Sequence, residues 1–136
     1  MLQVAALIEK IADAIIRQEG EPYTSTNPGN LRGAPWITPL PTIVNGGIVN
    51  GFWKPATRAI GEAGLVHLVA LHVAQGNSLE DFIGGHPGVY AGFAPGADGN
   101  KPNVYIENVV KWVGEQGITI DPTQPLWNYI EIELPT

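Results

Sequence analysis

The sequence predicts one α+β domain, predominantly α-helical, with a buried central helix and a small β-hairpin. Three observations indicate this fold class. Apolar residues recur with helical spacing in separate segments, Gly- and Pro-rich loops divide those segments, and one short stretch places β-branched runs on either side of glycines. A length of 136 residues suits a single domain spanning residues 1–136.

The first long helix is predicted over Leu2 to Glu19, where apolar residues follow one helical face until Gly20 ends the run. The second is predicted over Thr57 to Gln75. Between Leu65 and Val73 this segment is apolar nearly all round, which is typical of a helix buried at the centre of a domain.

The small hairpin is predicted over Thr42 to Trp53. Two β-branched runs, at 42–44 and 48–49, flank Asn45-Gly46-Gly47, a turn sequence whose residues accept positive φ. Long loops lie on both sides of this region, at Tyr23 to Pro41 and at Gly84 to Asn100. In a compact domain such loops are often functional.

The rest of the chain carries shorter helix signals. Ser78-Leu79-Glu80-Asp81 has the form of a capping box and predicts a short third helix. Pro102 suits a first helical position, and Val104 to Gln116 continues as a helix that Gly117 closes. The tail from Asp121 to Thr136 ends in alternating residues that fit either an edge strand or a packed extension.

Composition and charge exclude several functions. Hydrophobic residues make up 44% of the chain, which indicates a folded core. The formal net charge of −6 argues against a nucleic-acid partner, because phosphates need a basic face. The absence of cysteine excludes disulfides, thiolate nucleophiles and Cys-ligated metals.

The ends and apolar stretches of the chain carry no targeting signal. The amino terminus lacks the basic region of a signal peptide, and no apolar stretch reaches the roughly 18 residues of a membrane span. We therefore expect a soluble protein without an export signal of its own, in a compartment that the sequence leaves unknown. We also expect a monomer.

Glu19 breaks the pattern of the first helix. A wheel of about 100° per residue places it about 20° from Ile8, inside the apolar stripe. Burial and the negative end of the helix dipole both raise the pKa of such a carboxylate. A Glu that keeps its proton near neutral pH can act as a general acid. Alternatively, a Glu at a frayed helix end can bend into water or bond a loop amide.

Four segments follow one another in a recognisable order. Residues 11–20 end in Glu19-Gly20, and residues 27–32 read Asn-Pro-Gly-Asn-Leu-Arg. Residues 50–63 begin Asn-Gly-Phe-Trp, and residues 93–106 begin Phe-Ala-Pro and end at Tyr-Ile. In this order the segments resemble the lysozyme-like superfamily, most closely the soluble lytic transglycosylases and phage-type muramidases. Phe93 stands where that family has Tyr.

The resemblance implies a lysozyme-like fold and cleavage of the β-1,4 MurNAc–GlcNAc bond of peptidoglycan, at the cell wall and without a cofactor. Glu19 would be the catalytic acid. A lytic transglycosylase can work with one carboxylic acid, whereas a two-carboxylate hydrolase needs another across the bond. For that second role Asp98 fits a turn, Glu21 is too close in sequence to Glu19, and Asp81 fits a cap. The one-acid mechanism is therefore favoured, and hydrolysis stays open.

Sugar-binding residues are expected in the loop after Glu19 and near the last helix: Asn27, Asn30, Arg32, Tyr105 and Tyr90. Asn30 could instead bond its own loop backbone. Tyr105 lies at the edge of the last apolar stripe, where its phenol either reaches a cleft rim or packs with the hydroxyl in water. Tyr90 and Trp53 are weaker candidates, since large aromatic side chains are more often core.

The histidines do not predict a metal site. His67 falls on the predicted buried stripe of the second helix, and His72 points about 140° away, whereas a helical zinc pair needs a spacing of four. We expect His67 to be a neutral, hydrogen-bonded core residue. His86 is a lone loop histidine. No metal and no cofactor are expected.

A second interpretation keeps the fold without the chemistry. The acidic balance suits an anionic cell wall poorly, and no good second carboxylate is available. The chain could therefore be a non-catalytic module that binds a glycan or serves as a structural part of a phage virion. The inward position of Glu19 favours the enzyme.

Overall fold

A computed structural model describes residues 3–33, 37, 40, 45–85, 92–94 and 101–130. Three long helices dominate it: α1 (Val4–Glu19), α2 (Arg58–Ala74) and α3 (Pro102–Glu115). Between α1 and α2 in the chain lies a two-stranded antiparallel hairpin, β1 (Ile48–Val49) and β2 (Phe52–Trp53). The predicted α+β class with predominant helix is therefore confirmed.

Helix α1 packs against both α2 and α3 and supplies much of the core. Its apolar stripe is buried as predicted, apart from the partly buried Ile16. Gly20 ends the helix in the left-handed region, at φ 64, and its amide donates to the Ile16 carbonyl over 3.2 Å. The buried residues of α1 are Leu7, Ile8, Ile11, Ala12, Ala14 and Ile15.

Helix α2 begins and ends where the sequence predicts, but it is buried on one face only. Thr57 caps it by accepting a hydrogen bond from the Ile60 amide over 3.2 Å. Leu71 is 37% exposed, and Ala63 is also exposed, so the prediction of a helix buried all round is wrong. Gly61 explains the orientation, because it brings α2 against the Thr26 carbonyl and turns that face inward.

The prediction that His67 is the core histidine is also wrong. His67 is exposed, whereas His72 is only 5% exposed and stacks on Phe82 with ring centroids 4.2 Å apart. Asn77 Nδ2 donates to His72 Nδ1 over 2.8 Å, and burial lowers the His72 pKa. The segment is apolar nearly all round, so its hydropathy pattern did not determine which face would turn inward.

The hairpin turns at Asn50-Gly51, with φ values of 52 and 83. Strand 48–49 therefore pairs with 52–53, and Gly46 and Gly47 have positive φ as the predicted turn at Asn45–Gly47 requires. Residues 42–44, the predicted first strand, lie outside the described residues. Asn-Gly is the strongest signal for a two-residue hairpin turn, because both residues accept positive φ. Arg32 pairs with Phe52 on the other side of β2.

The remaining elements form at their predicted signals. The Ser78 and Asp81 side chains each accept from the other residue's amide, over 3.1 and 3.3 Å, and open a π-helical turn at Glu80–Gly84. Pro102 begins α3, and Gly117 follows it at φ 99. A 3-10 turn at Leu126–Tyr129 packs on α2. The alternating residues 131–136 lie outside the described residues.

Replacing Gly61 with Ala should lower the free energy of unfolding by about 1–3 kcal/mol, the usual cost of overpacking. The reason is that a Cβ at Gly61 would overlap the Thr26 carbonyl oxygen. Gly114→Ala in α3 is the matched control: its Cβ would meet nothing within 4 Å, so it should stabilise by about 0.5–1 kcal/mol. Urea unfolding followed by circular dichroism measures both. Equal stability of the two variants would contradict the close approach of α2 to the loop.

Candidate active site

Glu19 is the last residue of α1, and its side chain is half-buried. Burial, followed by the nearby Glu21 carboxylate, raises its pKa from 4.5 to about 7. In the part of the chain that the structure describes, no cation or hydrogen-bond donor lowers that pKa. The inward position predicted from the helical wheel therefore holds, and near neutral pH a large fraction of Glu19 carries its proton.

Tyr105 lies in the first turns of α3 and is 4% exposed. Burial and the Glu19 carboxylate raise the pKa of its hydroxyl, which places the two side chains in the same region. The hydroxyl is buried and has no hydrogen-bond partner among the described residues. The interpretation with its hydroxyl in water is therefore wrong. A buried hydroxyl without a hydrogen-bond partner is uncommon in folded proteins, and here it lies in the region of the Glu19 carboxyl.

Two contacts hold Tyr105 beside the end of α1. Asn108, one turn along α3, donates from Nδ2 to Gln18 Oε1 over 2.9 Å, and Gln18 precedes Glu19. Phe93 packs edge-on against the Tyr105 ring, with centroids 6.1 Å apart. Phe93 is itself anchored, because its amide donates to the Phe82 carbonyl over 2.8 Å. The packing of Phe93 and the hydrogen bond between α1 and α3 therefore fix Tyr105 relative to Glu19.

A cleft of about 330 Å³ lies between the loop after α1 and the hairpin. Glu21 lines it, whereas Glu19 and Tyr105 are not among its lining residues. Glu21 reaches this cleft because Gly20 turns the chain sharply at φ 64. Its walls combine hydroxyls, amides, two aromatic side chains and the charged side chains of Glu21 and Lys54, groups that can contact a hydroxyl-rich ligand. The lining residues are Glu21, Thr24, Ser25, Thr26, Asn27, Asn30, Val49, Phe52, Trp53 and Lys54.

Asn27 lines the cleft, but its side chain mainly shapes the loop. Its Nδ2 donates to the carbonyls of Leu31 and Trp53 over 3.0 and 2.8 Å, and its Oδ1 accepts from the Leu31 amide over 2.9 Å. Both amide hydrogens are thus used, which leaves one lone pair of Oδ1 for a ligand. The same three bonds tie the loop to the hairpin.

The other predicted loop residues divide between the cleft and the hairpin. Asn30 lines the cleft in the left-handed region, at φ 50, and its backbone amide donates to the Asn27 carbonyl over 2.9 Å. Arg32 lies over the Phe52 ring, 4.6 Å from its centroid. Phe52 lines the cleft, so Arg32 supports the ring that a sugar could contact.

Two of the candidates are outside the described residues, and two others are structural. Tyr90, a predicted sugar-binding residue, and Asp98, a possible second carboxylate, both lie outside. Trp53 is 2% exposed and donates from Nε1 to the Asn45 carbonyl over 2.7 Å, which fits its expected core role. Asp81 caps the π-helical turn.

Sequence reasoning missed several residues that build this site. Glu21 was set aside as too close to Glu19, although the Gly20 turn, itself a sequence signal, brings it into the cleft. Gln18 and Asn108 carried no signal, because their bond joins residues 90 positions apart. The hydroxyls of Thr24, Ser25 and Thr26 also gave no pattern that distinguishes a cleft wall from an ordinary loop.

Searches of the described residues for other sites found neither a group of three possible metal ligands nor a helix long and apolar enough to cross a membrane. Comparison of the chain with protein-family models, with curated proteins and with solved structures found no match.

Glu19→Gln should stabilise the protein at pH 8 and leave its stability nearly unchanged at pH 4. The folded pKa of about 7 lies above the ordinary 4.5, so stability present below pH 4.5 is lost as pH rises through about 7. The substitution removes the group that ionises in this window. Urea midpoints at both pH values measure the effect, with Glu115→Gln, at an exposed ion pair, as the control. A pH-independent difference would contradict the raised pKa.

Proposed function

We propose that this protein cleaves the glycan strand of peptidoglycan at the β-1,4 bond between MurNAc and GlcNAc, by a lytic transglycosylase mechanism with Glu19 as the only catalytic carboxyl. The observation that carries the proposal is a half-buried carboxyl whose pKa is raised to about 7, two residues before Glu21, which lines an open cleft. The ordered sequence resemblance to lysozyme-like proteins supports it.

In the proposed reaction Glu19 first donates its proton to the glycosidic oxygen, and the bond from that oxygen to C1 breaks. The resulting Glu19 carboxylate then accepts the proton of the C6 hydroxyl on the same muramic acid, while O6 forms a new bond to C1. One fragment gains the proton and the other becomes a 1,6-anhydro sugar, so no water is consumed. Since Glu19 must begin protonated, activity should fall as pH rises above about 7.

Tyr105 and the cleft walls are assigned to substrate contact. The Tyr105 hydroxyl is buried and has no protein partner among the described residues, so in the proposal substrate binding uncovers it and a sugar oxygen completes its hydrogen bonding. Phe52 offers a ring face and Asn30 a planar amide, which are the groups that sugar hydroxyls and C–H bonds contact. These contacts would orient the bond relative to Glu19.

A two-carboxylate hydrolase is the second candidate, because Glu21 lines the cleft and its charge raises the Glu19 pKa. In that mechanism the second carboxylate acts on the opposite face of the sugar and water enters the product. The net charge of −6 supports a third outcome, a glycan-binding or phage structural module without catalysis. The products of the wild-type protein distinguish all three.

Glu19→Gln should reduce peptidoglycan cleavage by at least about 10²–10⁴-fold, the usual worth of general acid–base catalysis. The variant keeps the shape of the side chain but has no proton to give. The measurement is clearing of purified cell walls, with mass spectrometry of the released fragments. Wild-type products should carry 1,6-anhydro ends, lighter by one water than products of hydrolysis.

Glu21→Gln is the matched comparison, since it removes the other carboxylate at the cleft. It should cost much less than Glu19→Gln under the one-acid mechanism. Reducing-end products together with equal losses in the two variants would replace the transglycosylase by a hydrolase. A folded wild-type protein that releases no fragments would leave the binding or structural module.

Tyr105→Phe should separate activity from stability. Removing an unpaired buried hydroxyl relieves a cost of about 1–3 kcal/mol, so the variant should be at least as stable as the wild type. Its cleavage rate should fall about two- to tenfold, the equivalent of one ordinary hydrogen bond. Thermal unfolding and wall clearing measure the two effects.

Tyr129→Phe is the matched control, because its hydroxyl accepts a hydrogen bond from the Asp121 amide over 2.8 Å. It should lower stability and leave cleavage unchanged. A loss of stability in Tyr105→Phe would show that its hydroxyl is satisfied within the fold.

A further inference from the structure

Arg58, the first residue of α2, donates hydrogen bonds to the loop that follows Glu19. Its Nη1 donates toward three backbone carbonyls of that loop, at 3.1 Å from Ser25, 3.2 Å from Tyr23 and 3.4 Å from Pro22. Its Nε donates to Glu62 over 3.1 Å, which aims the guanidinium. A cation at the start of a helix opposes the helix dipole, so helix stability does not explain this residue.

The loop that Arg58 bonds forms most of one cleft wall. Glu21, Asn27 and Asn30 all belong to the segment between the end of α1 and the hairpin, together with the hydroxyl residues 24–26. α2 fixes this segment at Arg58, and one turn later Gly61 contacts the Thr26 carbonyl. The hairpin fixes its far end through Asn27. Release of Arg58 would therefore free the half of the loop that lies nearest Glu19.

Arg17 makes the same two kinds of side-chain contact as Arg58, an ion pair with a glutamate and a contact over an aromatic ring, but neither of them involves the loop. It pairs with Glu115 over 3.0 Å and lies 4.4 Å above the Trp112 ring. Arg58 pairs with Glu62 and lies 5.0 Å above the Tyr23 ring. The contacts of Arg17 join α1 to α3, whereas those of Arg58 reach the cleft wall. Comparing Arg17 with Arg58 thus isolates the effect of the Arg58 contacts to the loop, namely the three carbonyls and the Tyr23 ring.

We propose that Arg58 is a positioning residue for the cleft: its bonds to the Pro22, Tyr23 and Ser25 carbonyls hold the loop in the shape that receives the glycan. Its catalytic consequence rests on the function proposed above. The loop geometry itself does not, since it follows from contacts within the chain.

Amide hydrogen exchange tests the loop directly in Arg58→Ala, Arg58→Lys and Arg17→Ala. The Ser25 amide, which donates to Pro22, and the Leu31 amide, which donates to Asn27, report on the two halves of the loop. Arg58→Ala should speed exchange at Ser25 at least about tenfold, because several hydrogen bonds of ordinary strength are lost. Exchange at Leu31 should change less. Arg17→Ala should leave both amides unchanged.

Kinetics test the consequence for the reaction. Arg58→Ala should lower kcat/KM by about 10–100-fold, the usual effect of a small misplacement of substrate, and should raise KM. Arg58→Lys keeps the charge but lacks the planar fork of donors, so its loss should be intermediate. Arg17→Ala should keep the wild-type KM.

The two proposals can fail separately. If the wild type cleaves no glycan, the proposed function is lost, while exchange at Ser25 still decides the role of Arg58. If Arg58→Ala is too unstable to study, Arg58→Lys supplies the same comparison. Exchange at Ser25 that matches the wild type in the Arg58 variants would overturn the proposal. An equal fall in kcat/KM for Arg17→Ala and Arg58→Ala would overturn it as well.

Discussion

The apolar face of α1 must be buried between α2 and α3, and Glu19 belongs to that face. Helical geometry turns position 19 toward the same side as Ile8 and Ile15, and Gly20 ends the helix immediately afterwards, at φ 64. The packing that stabilises the core therefore desolvates the carboxyl. No cation balances it in the described part of the chain, so its pKa rises to about 7. The candidate acid is a consequence of the way in which the domain buries its first helix.

The polar groups of this domain differ in whether the described chain supplies their hydrogen-bond partners. In the loop they are satisfied within the chain: Asn27 uses both amide hydrogens, and Arg58 serves three carbonyls. Near the end of α1 and the start of α3, Glu19 and Tyr105 are desolvated, and the Tyr105 hydroxyl has no partner among the described residues. Buried polar atoms in folded proteins are rarely left unpaired. The described residues thus bring a desolvated carboxyl and an unpaired hydroxyl into one region, and the loop that lines the cleft follows that carboxyl in the chain.

The sequence correctly predicted those elements that depend on residues close to one another in the chain. The Ser78–Asp81 capping box, Pro102 at the start of α3 and the stripe of α1 depend on residues within a few positions of one another. Which face of α2 turns inward depends on Gly61, which contacts a carbonyl 35 positions earlier in the chain. The sequence pattern therefore placed His67 in the core, where the structure has His72. At the site, Glu19 was predictable from one helix. The bond between Gln18 and Asn108, which holds the Tyr105 turn beside it, joins two helices and was not predictable from either of them.

The excess of acidic over basic residues favours the protonated form of Glu19, which is the form that a proton donor needs. The Glu21 charge already raises the Glu19 pKa, because like charges disfavour ionisation. An anionic glycan strand bound in the cleft would add negative charge on the same side and raise that pKa further, so substrate binding would increase the fraction of Glu19 that is protonated. Lys54 at the cleft wall can offset part of the repulsion between strand and protein. Under the proposed function, a basic cleft would bind the strand more tightly but would lower the pKa of its acid. Under the proposed function, the observed charges would weaken binding of the strand and help Glu19 to keep its proton.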